Sequence, residues 1–306
     1  METILTLTLN PSIDESVSVE RIEEERKLRC SPPRYEPGGG GINISRVIRI
    51  LGGRSTALFA RGGPPGQILE RALVEGGLDC RPIPISGWTR INFAVMERAT
   101  NRQFRFNLPG PHLDGEAEPI LELLERWDPA PGWLAASGSL PPGMPSDFYA
   151  RLAQLARKRK IRLLVDGSGA ALRSACEAGV SLLKPNLHEL EELTGKSARS
   201  EPEQAEAAQT LIREKAAEAV AVSLGAAGAL LATPEGILRV KSPDVPVASR
   251  IGAGDSMAAG WLLALARGRP MAEAFRFGAA AGAATVMTPG TELCRRADVE
   301  RLFEGM

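Results

Sequence analysis

The feature that most constrains the fold is a regular alternation of short apolar runs and helical segments after Leu113. The apolar runs are typical of strands, and they lie at 133–137, 161–166, 180–184 and 219–224. The run Leu-Leu-Val at 163–165 has no polar interruption, which is typical of a strand covered on both faces. Strands that alternate with helices pair in parallel, because each helical crossover returns the chain to the same edge. The sequence therefore predicts an α/β fold, with a mostly parallel sheet and helices on both faces.

Two sections interrupt this alternation, at approximately residues 11–36 and 82–112. Within the second section, 91–97 and 103–108 alternate apolar and polar residues around a short polar turn, which is typical of a hairpin. The first section also contains short strand-like pieces. We predict that the two sections form one small β-lid, inserted in two segments into a single domain that spans residues 1–306.

Charge, histidine and cysteine content exclude several classes of protein. Lys plus Arg number 37 and Asp plus Glu number 37, so the basic excess of a nucleic-acid or membrane-surface binder is missing. Only His112 and His188 are present, which excludes a multi-histidine metal site. No apolar run has the ~18 residues of a membrane helix, no cysteine pair is spaced C-x-x-C, and the first residues lack a signal-peptide pattern. We expect a cytoplasmic protein that binds neither nucleic acid nor membranes.

The strongest single motif is 251–260, where Gly252, Ala253 and Gly254 immediately precede an apolar helix. Glycines at a helix start expose backbone N–H groups at its positive end, which suits a phosphate or a developing anion. Asp255, in the first turn, is either a helix cap or a general base beside that anion hole. The spacing alone favours neither interpretation.

Polar residues also follow other predicted strands, where ligands of an open parallel sheet bind. Four glycines at 38–41 precede a helix whose first turn holds Asn43, which favours close backbone approach to a polar ligand. Lys184-Pro-Asn186 is followed three residues later by Glu189. That spacing fits a helix capping box, or a pair that orders Mg²⁺ through bound water. Without further context, the cap is the simpler interpretation.

The lid sections are rich in cations, including Lys27, Arg29, Arg90 and Arg105. A solvated charged face would explain most of them. A guanidinium fork also binds a phosphate in bidentate fashion. We expect two or three of these side chains to converge on an anionic group.

Taken together, these motifs resemble the ribokinase-like sugar kinases, and specifically their phosphofructokinase-B branch. The similar stretches run along the whole chain, at 6–14, 27–30, 36–43, 88–90, 137–143, 184–186, 222–225 and 252–255. The stretches at 27–30 and 36–43 look most like the minor-isozyme type of ATP-dependent 6-phosphofructokinase.

The resemblance implies glycolytic transfer of the γ-phosphoryl group of ATP to the 1-hydroxyl of fructose 6-phosphate. Asp255 would be the general base, beside an anion hole formed by the amides of Gly252, Ala253 and Gly254. The sugar would bind to Asp14, Gly39, Asn43, Arg105 and Ser139, and its 6-phosphate to Lys27, Arg29 and Arg90.

For the nucleotide, the resemblance implies binding by Lys184, Asn186, Ser223 and Gly225. It also implies Mg²⁺ held by Asn186 and Glu189 through water. It further implies a homodimer paired through the β-lids, with residues borrowed across the interface. Some members bind K⁺ beside the anion hole, but Thr288 and Glu292 replace the Asn and Arg of similar members, so potassium activation stays open.

Three alternatives remain at this point. A kinase for fructose 1-phosphate or tagatose 6-phosphate would keep the same base and the same basic lid. A kinase for unphosphorylated sugars or nucleosides would not need the lid cations. A catalytically idle regulator that binds a sugar phosphate could share the fold, although Asp255 within an intact motif argues against it.

Overall fold

The computed structural model describes residues 2–306, which form a nine-stranded sheet, a four-stranded sheet and ten α-helices. The strands are β1 (Ile4–Thr8), β2 (Ser12–Val19), β3 (Arg34–Gly38), β4 (Thr56–Arg61), β5 (Asp79–Pro84), β6 (Arg90–Glu97), β7 (Arg102–Phe106), β8 (Trp133–Ser137), β9 (Arg162–Asp166), β10 (Val180–Leu183), β11 (Ala217–Ser223), β12 (Ala229–Thr233) and β13 (Gly236–Val240). The helices are α1 (Gly40–Ile50), α2 (Gly63–Glu75), α3 (Ala117–Glu125), α4 (Phe148–Lys158), α5 (Gly169–Ala178), α6 (Leu187–Thr194), α7 (Glu201–Arg213), α8 (Ala253–Ala266), α9 (Met271–Val286) and α10 (Arg296–Glu304).

The large sheet has the strand order β13-β12-β11-β10-β9-β8-β1-β4-β5. Its seven strands from β11 to β5 pair in parallel, and β12 and β13 continue it antiparallel at one edge. The prediction of a mostly parallel sheet is therefore confirmed. Parallel strands all end at the same edge, so the segments that follow β1, β8, β9, β10 and β11 meet there.

Both faces of the large sheet are covered, because successive residues of one strand pack into different clusters. Leu134 packs with residues of α3, α4 and α7, whereas Ala135 packs with residues of α1, α8 and α9. This explains why the interior positions of β8 and β9, 134–136 and 163–165, carry only apolar side chains. Helices α8 and α9 approach closely, since a Cβ on Gly278 would lie 2.7 Å from the carbonyl oxygen of Met257.

The four-stranded sheet, here called the small sheet, has the order β3-β2-β6-β7. It takes two strands from each of the two sections that interrupt the alternation. Residues 82–84, which the predicted lid boundary included, instead lie in β5 at the edge of the large sheet. Pro82 and Pro84 are tolerated there, because an edge strand leaves some N–H groups unpaired.

Two helices begin at glycines. Helix α2 begins at Gly63, and Pro64 and Pro65 occupy its first turn, where a missing N–H costs nothing. Helix α1 begins at Gly40, within the glycine run. Gly39 precedes it with a φ of +122°, a conformation that favours glycine. Among residues 2–306, no helix is both long and apolar enough to cross a membrane.

Candidate active site

The site is centred on Asp255, in the first turn of α8, where the carboxyl ends of the central strands converge. The Asn43 side chain, in the first turn of α1, donates a hydrogen bond from Nδ2 to Asp255 Oδ2 at 2.9 Å. Two helices that start 213 residues apart in sequence are thus joined at their N-terminal ends. Because that bond occupies Oδ2, Oδ1 of Asp255 remains available to a ligand.

Burial and the charge of Asp166 raise the pKa of Asp255 to about 6, although the Asn43 hydrogen bond and the Lys184 charge oppose the shift. A carboxyl group with this pKa is largely deprotonated at pH 7, yet it is a far stronger base than an ordinary aspartate. Asp255 therefore has the ionisation that a general base requires.

Lys184 and Asp166 form a buried ion pair next to Asp255. Lys184 Nζ lies 3.1 Å from Asp166 Oδ1, and the two side chains are only 5% and 14% exposed. Burial alone would lower the pKa of Lys184, but the charges of Asp166, Asp255 and Glu189 raise it overall, so the ammonium group stays charged. Ser137 Oγ donates to the other carboxylate oxygen of Asp166 at 3.2 Å, which fixes its orientation.

The start of α8 has the backbone geometry that the predicted anion hole requires. Gly252 precedes the helix in the left-handed region (φ +74°), and the N–H groups of Ala253, Gly254 and Asp255 begin the helix, where no carbonyl of the same helix can accept them. A Cβ on Gly254 would lie 3.3 Å from Lys184 Nζ. The glycine thus lets an ammonium group and a positive helix end meet at one point, which suits a phosphoryl group.

Asn186 and Glu189 form a full capping box at the start of α6. Asn186 Oδ1 accepts from the Glu189 N–H at 2.9 Å, and Glu189 Oε2 accepts from the Asn186 N–H at 2.7 Å. Burial and the Asp166 charge raise the pKa of Glu189 against that hydrogen bond. The capping box is therefore present, but its hydrogen bond does not lower the pKa of Glu189 overall.

A divalent cation fits this arrangement electrostatically. Asp166, Glu189 and Asp255 carry three negative charges, and Lys184 supplies one positive charge among them. In the described part of the chain, no three His, Cys, Asp or Glu side chains are close enough to ligate a metal directly. A Mg²⁺ ion that keeps most of its water shell suits this group of carboxylates, because such an ion needs few direct protein ligands.

The small sheet presents a polar face to a cavity of about 160 Å³ beside this centre. Ten residues of β2, β3, β6 and β7 line it, together with the 289–292 loop: Asp14, Glu15, Ser16, Arg34, Glu36, Asn92, Phe93, Ala94, Gln103 and Arg105. Asp14 Oδ1 accepts hydrogen bonds from Ser12 Oγ at 2.7 Å and from Asn92 Nδ2 at 2.9 Å. Two of the predicted sugar-binding residues, Asp14 and Arg105, thus line one cavity.

Arg90 and Ser139 are connected through Asn10, at the junction of the two sheets. Arg90 donates to the carbonyl oxygens of Asn10 at 3.0 Å and Leu108 at 3.2 Å, and Asn10 Nδ2 donates to Ser139 Oγ at 3.1 Å. Arg90 Nε is buried and finds no hydrogen-bond partner among residues 2–306. Burial lowers the pKa of Arg90, although the Asp14 charge opposes this.

The remaining predicted residues are Ser223, Gly225, Lys27 and Arg29, and they lie in different parts of the structure. Ser223 lies beside Asn186, since its N–H donates to the Pro185 carbonyl oxygen at 3.1 Å, and Gly225 follows in an exposed turn. Lys27 and Arg29 lie in the exposed segment between β2 and β3, and neither lines the cavity. Arg90 does not line the cavity either.

Sequence reasoning assigned no role to Asp166 and missed Asn92. Asp166 could have been found, because it is the one charged residue that ends the apolar strand β9 at the binding edge. Asn92 carries no such signal, since its contact with Asp14 depends on the β2–β6 pairing.

A second link joins the small sheet to the loop that follows α9. Thr291 Oγ1 donates to a carboxylate oxygen of Glu36 on β3, and Arg34 Nη2 lies 3.9 Å from Glu292 Oε1. In the same loop, Ser249 Oγ donates to the Gly290 carbonyl oxygen at 2.6 Å, and the Thr288 hydroxyl lies between the carbonyl oxygens of Thr285 and Glu292.

A buried carboxyl group and a positive helix end at the binding edge of a doubly covered parallel sheet, with a neighbouring cavity lined by polar side chains, are the features that a kinase for a small polyhydroxy substrate requires. The model of the pfkB family of carbohydrate kinases matches residues 7–298, and the chain belongs to this family. It is a carbohydrate kinase with the ribokinase-like fold.

Relatives and solved structures agree with this assignment. The chain is 46% identical over 302 residues to the ATP-dependent 6-phosphofructokinase isozyme 2 of Mycobacterium tuberculosis, covering 98% of this chain and 89% of the relative. It is 35% identical over 292 residues to the 1-phosphofructokinase of Bacillus subtilis, covering 94% and 95%. Crystal structures of the phosphofructokinase-2 from Escherichia coli, in complex with potassium and with fructose-6-phosphate, give TM-scores of 0.95 and 0.93 at 38% and 37% identity. Both comparisons cover 100% of this chain and 99% of the other.

Proposed function

We propose that the chain transfers the γ-phosphoryl group of ATP to the 1-hydroxyl of fructose 6-phosphate, forming fructose 1,6-bisphosphate and ADP. The observation that carries the proposal is the position of Asp255, held by Asn43 beside Lys184 and the start of α8. A base and an anion hole thus lie together at the edge of a polar cavity. An acceptor hydroxyl and a phosphoryl donor can meet only at such a point.

In this reaction, Asp255 Oδ1 accepts the proton of the 1-hydroxyl. The sugar oxygen forms a bond to the γ-phosphorus, the bond from that phosphorus to the bridging oxygen breaks, and ADP leaves with the bridging oxygen. The N–H groups that start α8 and the Lys184 ammonium stabilise the negative charge of the transferring group.

On the nucleotide side, Lys184, Asn186, Ser223 and Gly225 would bind ATP. Asn186 and Glu189 would hold Mg²⁺ through water, and the ion would neutralise charge on the ATP phosphates. Carbonyl oxygens of the 285–292 loop accept hydrogen bonds from Ser249 and Thr288. Thr288 and Glu292 replace the Asn and Arg of similar members, so potassium activation stays open.

The sugar would lie in the cavity between the small sheet and the 289–292 loop. Asp14, Gly39, Asn43, Ser139 and Arg105 would bind its hydroxyl groups. Arg90 would bind the 6-phosphate, because Asn10 connects its guanidinium group to Ser139, another predicted sugar-binding residue.

We also propose a homodimer formed through the small sheet. Its second face carries large apolar side chains that remain exposed: Tyr35 (49%), Phe93 (40%), Phe104 (37%) and Phe106 (54%). The strand register places these four residues on one face, and of them only Phe93 also borders the cavity. An apolar sheet face of this kind is a liability unless it is covered.

A second subunit would also explain the positions of Lys27 and Arg29. Both are remote from the cavity of their own chain. Across a dimer of small sheets, these cations would reach the sugar phosphate of the partner's site. We place the enzyme in the cytoplasm, where its proposed substrates occur.

The test of the dimer is sedimentation equilibrium of Phe93→Asp. Loss of the dimer is expected for this variant, but not for Val74→Asp, which changes an exposed apolar residue on α2 (58% exposed, against 40% for Phe93). A monomeric wild-type protein, or a Phe93→Asp variant that still dimerises, would contradict the assignment.

A second candidate substrate is fructose 1-phosphate, which the 35% identity to a 1-phosphofructokinase favours. As furanoses, both sugars carry a phosphate at one end and a free hydroxymethyl group at the other. A cavity with one basic end could accept either in opposite orientations.

The discriminating experiment is a coupled ADP-release assay with Mg-ATP, comparing kcat/KM for fructose 6-phosphate, fructose 1-phosphate, tagatose 6-phosphate, fructose and ribose. A clear preference for fructose 6-phosphate is expected. Preference for another phosphosugar would transfer the proposal to that substrate. No turnover with any of them would favour the idle regulator.

A further inference from the structure

We propose that Arg46 is a positioning residue for the catalytic base, because it fixes the orientation of the Asn43 amide that holds Asp255. The inference rests on the role of Asp255 given above. Arg46 lies on α1, one turn beyond Asn43, so that both side chains point to the same side of the helix.

The observation is a relay of two hydrogen bonds with a definite direction. Arg46 Nη1 donates to Asn43 Oδ1 at 3.2 Å and to the Pro37 carbonyl oxygen at 3.1 Å. Asn43 Nδ2 in turn donates to Asp255 Oδ2 at 2.9 Å. The Asn43 amide therefore accepts at one end and donates at the other.

This direction matters because an amide has one acceptor end and one donor end of nearly the same shape. A guanidinium group donates hydrogen bonds and cannot accept them. The atom of the Asn43 amide that faces Arg46 must therefore be the acceptor, Oδ1. Without Arg46, the Asn43 amide could turn over and present its oxygen to Asp255. Two acceptors would then face each other at the base, and the carboxylate would lose its donor.

The charges around both groups are consistent with this role. Burial lowers the pKa of Arg46, but Glu36 on β3 and Asp14 on β2 oppose the shift, and the guanidinium group remains charged. Asp255 faces Asp166 at the end of β9, Lys184 after β10 and Asn43 on α1, and the Asn43 hydrogen bond is one of two influences that keep its carboxyl acidic. Loss of that bond should therefore make Asp255 harder to deprotonate.

The experiment compares kcat across pH 5–8.5, with fructose 6-phosphate as substrate, for wild type, Arg46→Met and Arg46→Lys. Met keeps most of the stem without a donor, whereas Lys keeps a charge and a donor. Arg46→Met should move the acidic limb of kcat upward by about one pH unit, so that kcat at pH 6 falls about tenfold relative to the plateau. Arg46→Lys should show little of this shift, because lysine keeps a charged donor. The phosphate of the substrate titrates identically for every variant and cancels in the comparison.

Asn43→Ala separates this role from a structural or purely electrostatic one. In the Asn43→Ala background, Arg46→Met should cause no further movement of the acidic limb, because the relay is already broken. Arg49→Met, an exposed arginine three residues further along α1, is the matched control and should leave the profile unchanged. An unchanged limb in Arg46→Met, or a shift that persists without Asn43, would overturn the proposal.

A readout that needs no substrate keeps this test separate from the proposed function. The pH dependence of the unfolding free energy also reports the pKa of Asp255, and its midpoint should move upward in Arg46→Met. If wild type fails to phosphorylate any sugar phosphate, the proposed function fails. An unmoved midpoint, in contrast, contradicts the role of Arg46.

Discussion

Asp255→Asn should stabilise the fold while it abolishes most of the activity. The pKa of Asp255 rises from 3.8 for an ordinary aspartate to about 6 in the folded chain. One pKa unit corresponds to about 1.4 kcal/mol, so the ionised carboxylate costs the folded state about 3 kcal/mol above pH 6. Because asparagine has nearly the same shape and cannot ionise, it removes this cost.

The sign follows from proton linkage. A group whose pKa is raised by folding binds a proton more tightly in the folded state, so its stabilising contribution is complete below pH 3.8 and is lost as pH rises through about 6. Asp255→Asn should therefore raise the unfolding free energy by up to about 3 kcal/mol at pH 8, with almost no gain at pH 4.

The assay is urea unfolding at a series of pH values without substrate, paired with kcat at saturating substrate. The wild-type kcat should fall about tenfold per pH unit below pH 6, and Asp255→Asn should lower kcat by about 10²–10⁴-fold. Asp114→Asn, at an exposed carboxylate paired with His112, is the control for both measurements. A variant that is less stable than wild type at pH 8, or a gain that does not depend on pH, would refute this reasoning.

Other substitutions and conditions give equally definite expectations. Gly278→Ala should lower the unfolding free energy by about 1–3 kcal/mol, measured with urea, because the added Cβ would lie 2.7 Å from a main-chain carbonyl of α8. Lys184→Met should leave Asp166 unpaired and raise the pKa of Asp255, so the acidic limb of kcat should move to higher pH; an unmoved limb would contradict the charge assignment. Arg105→Ala should raise KM for the phosphosugar at least tenfold with a smaller change in kcat, which steady-state kinetics measures. Chelation of Mg²⁺ should abolish turnover, and added Mg²⁺ should restore it; activity that persists in excess chelator would contradict the metal assignment.

Local patterns in the sequence predicted most of the helices and strands. Strand β8 lies at 133–137 as its apolar run indicated, because a buried parallel strand has a strong composition signal. Strand β5 carries two prolines and two charged residues in six positions, so its pattern did not predict a strand. Its place in the sheet depends on pairing with β4, which no local pattern records.

The site shows the same division between local and long-range information. Gly252 and Asp255 could be assigned from spacing, because a helix start and its first turn are contiguous in sequence. The contact of Arg46 with Asn43 is also local, but its importance appears only when Asp255, more than 200 residues away, is placed beside the amide. The separation of Lys27 from the cavity could not be predicted, since strand-like composition does not say where a connecting segment lies.

In the small sheet, successive side chains of each strand point to opposite faces, and the two faces have different roles. Odd-numbered residues of β2, β3 and β6 and even-numbered residues of β7 share one face, which carries the exposed aromatic side chains. Eight of the ten strand residues that line the cavity, all except Glu15 and Phe93, belong to the other face. Deleting or inserting one residue within β6 would exchange the two faces of that strand, so that Asn92 would turn away from the cavity. These strands should therefore tolerate many substitutions but no change of length. Substitutions that change substrate preference and substitutions that change subunit pairing can then accumulate independently, because they fall at alternating positions of the same strand.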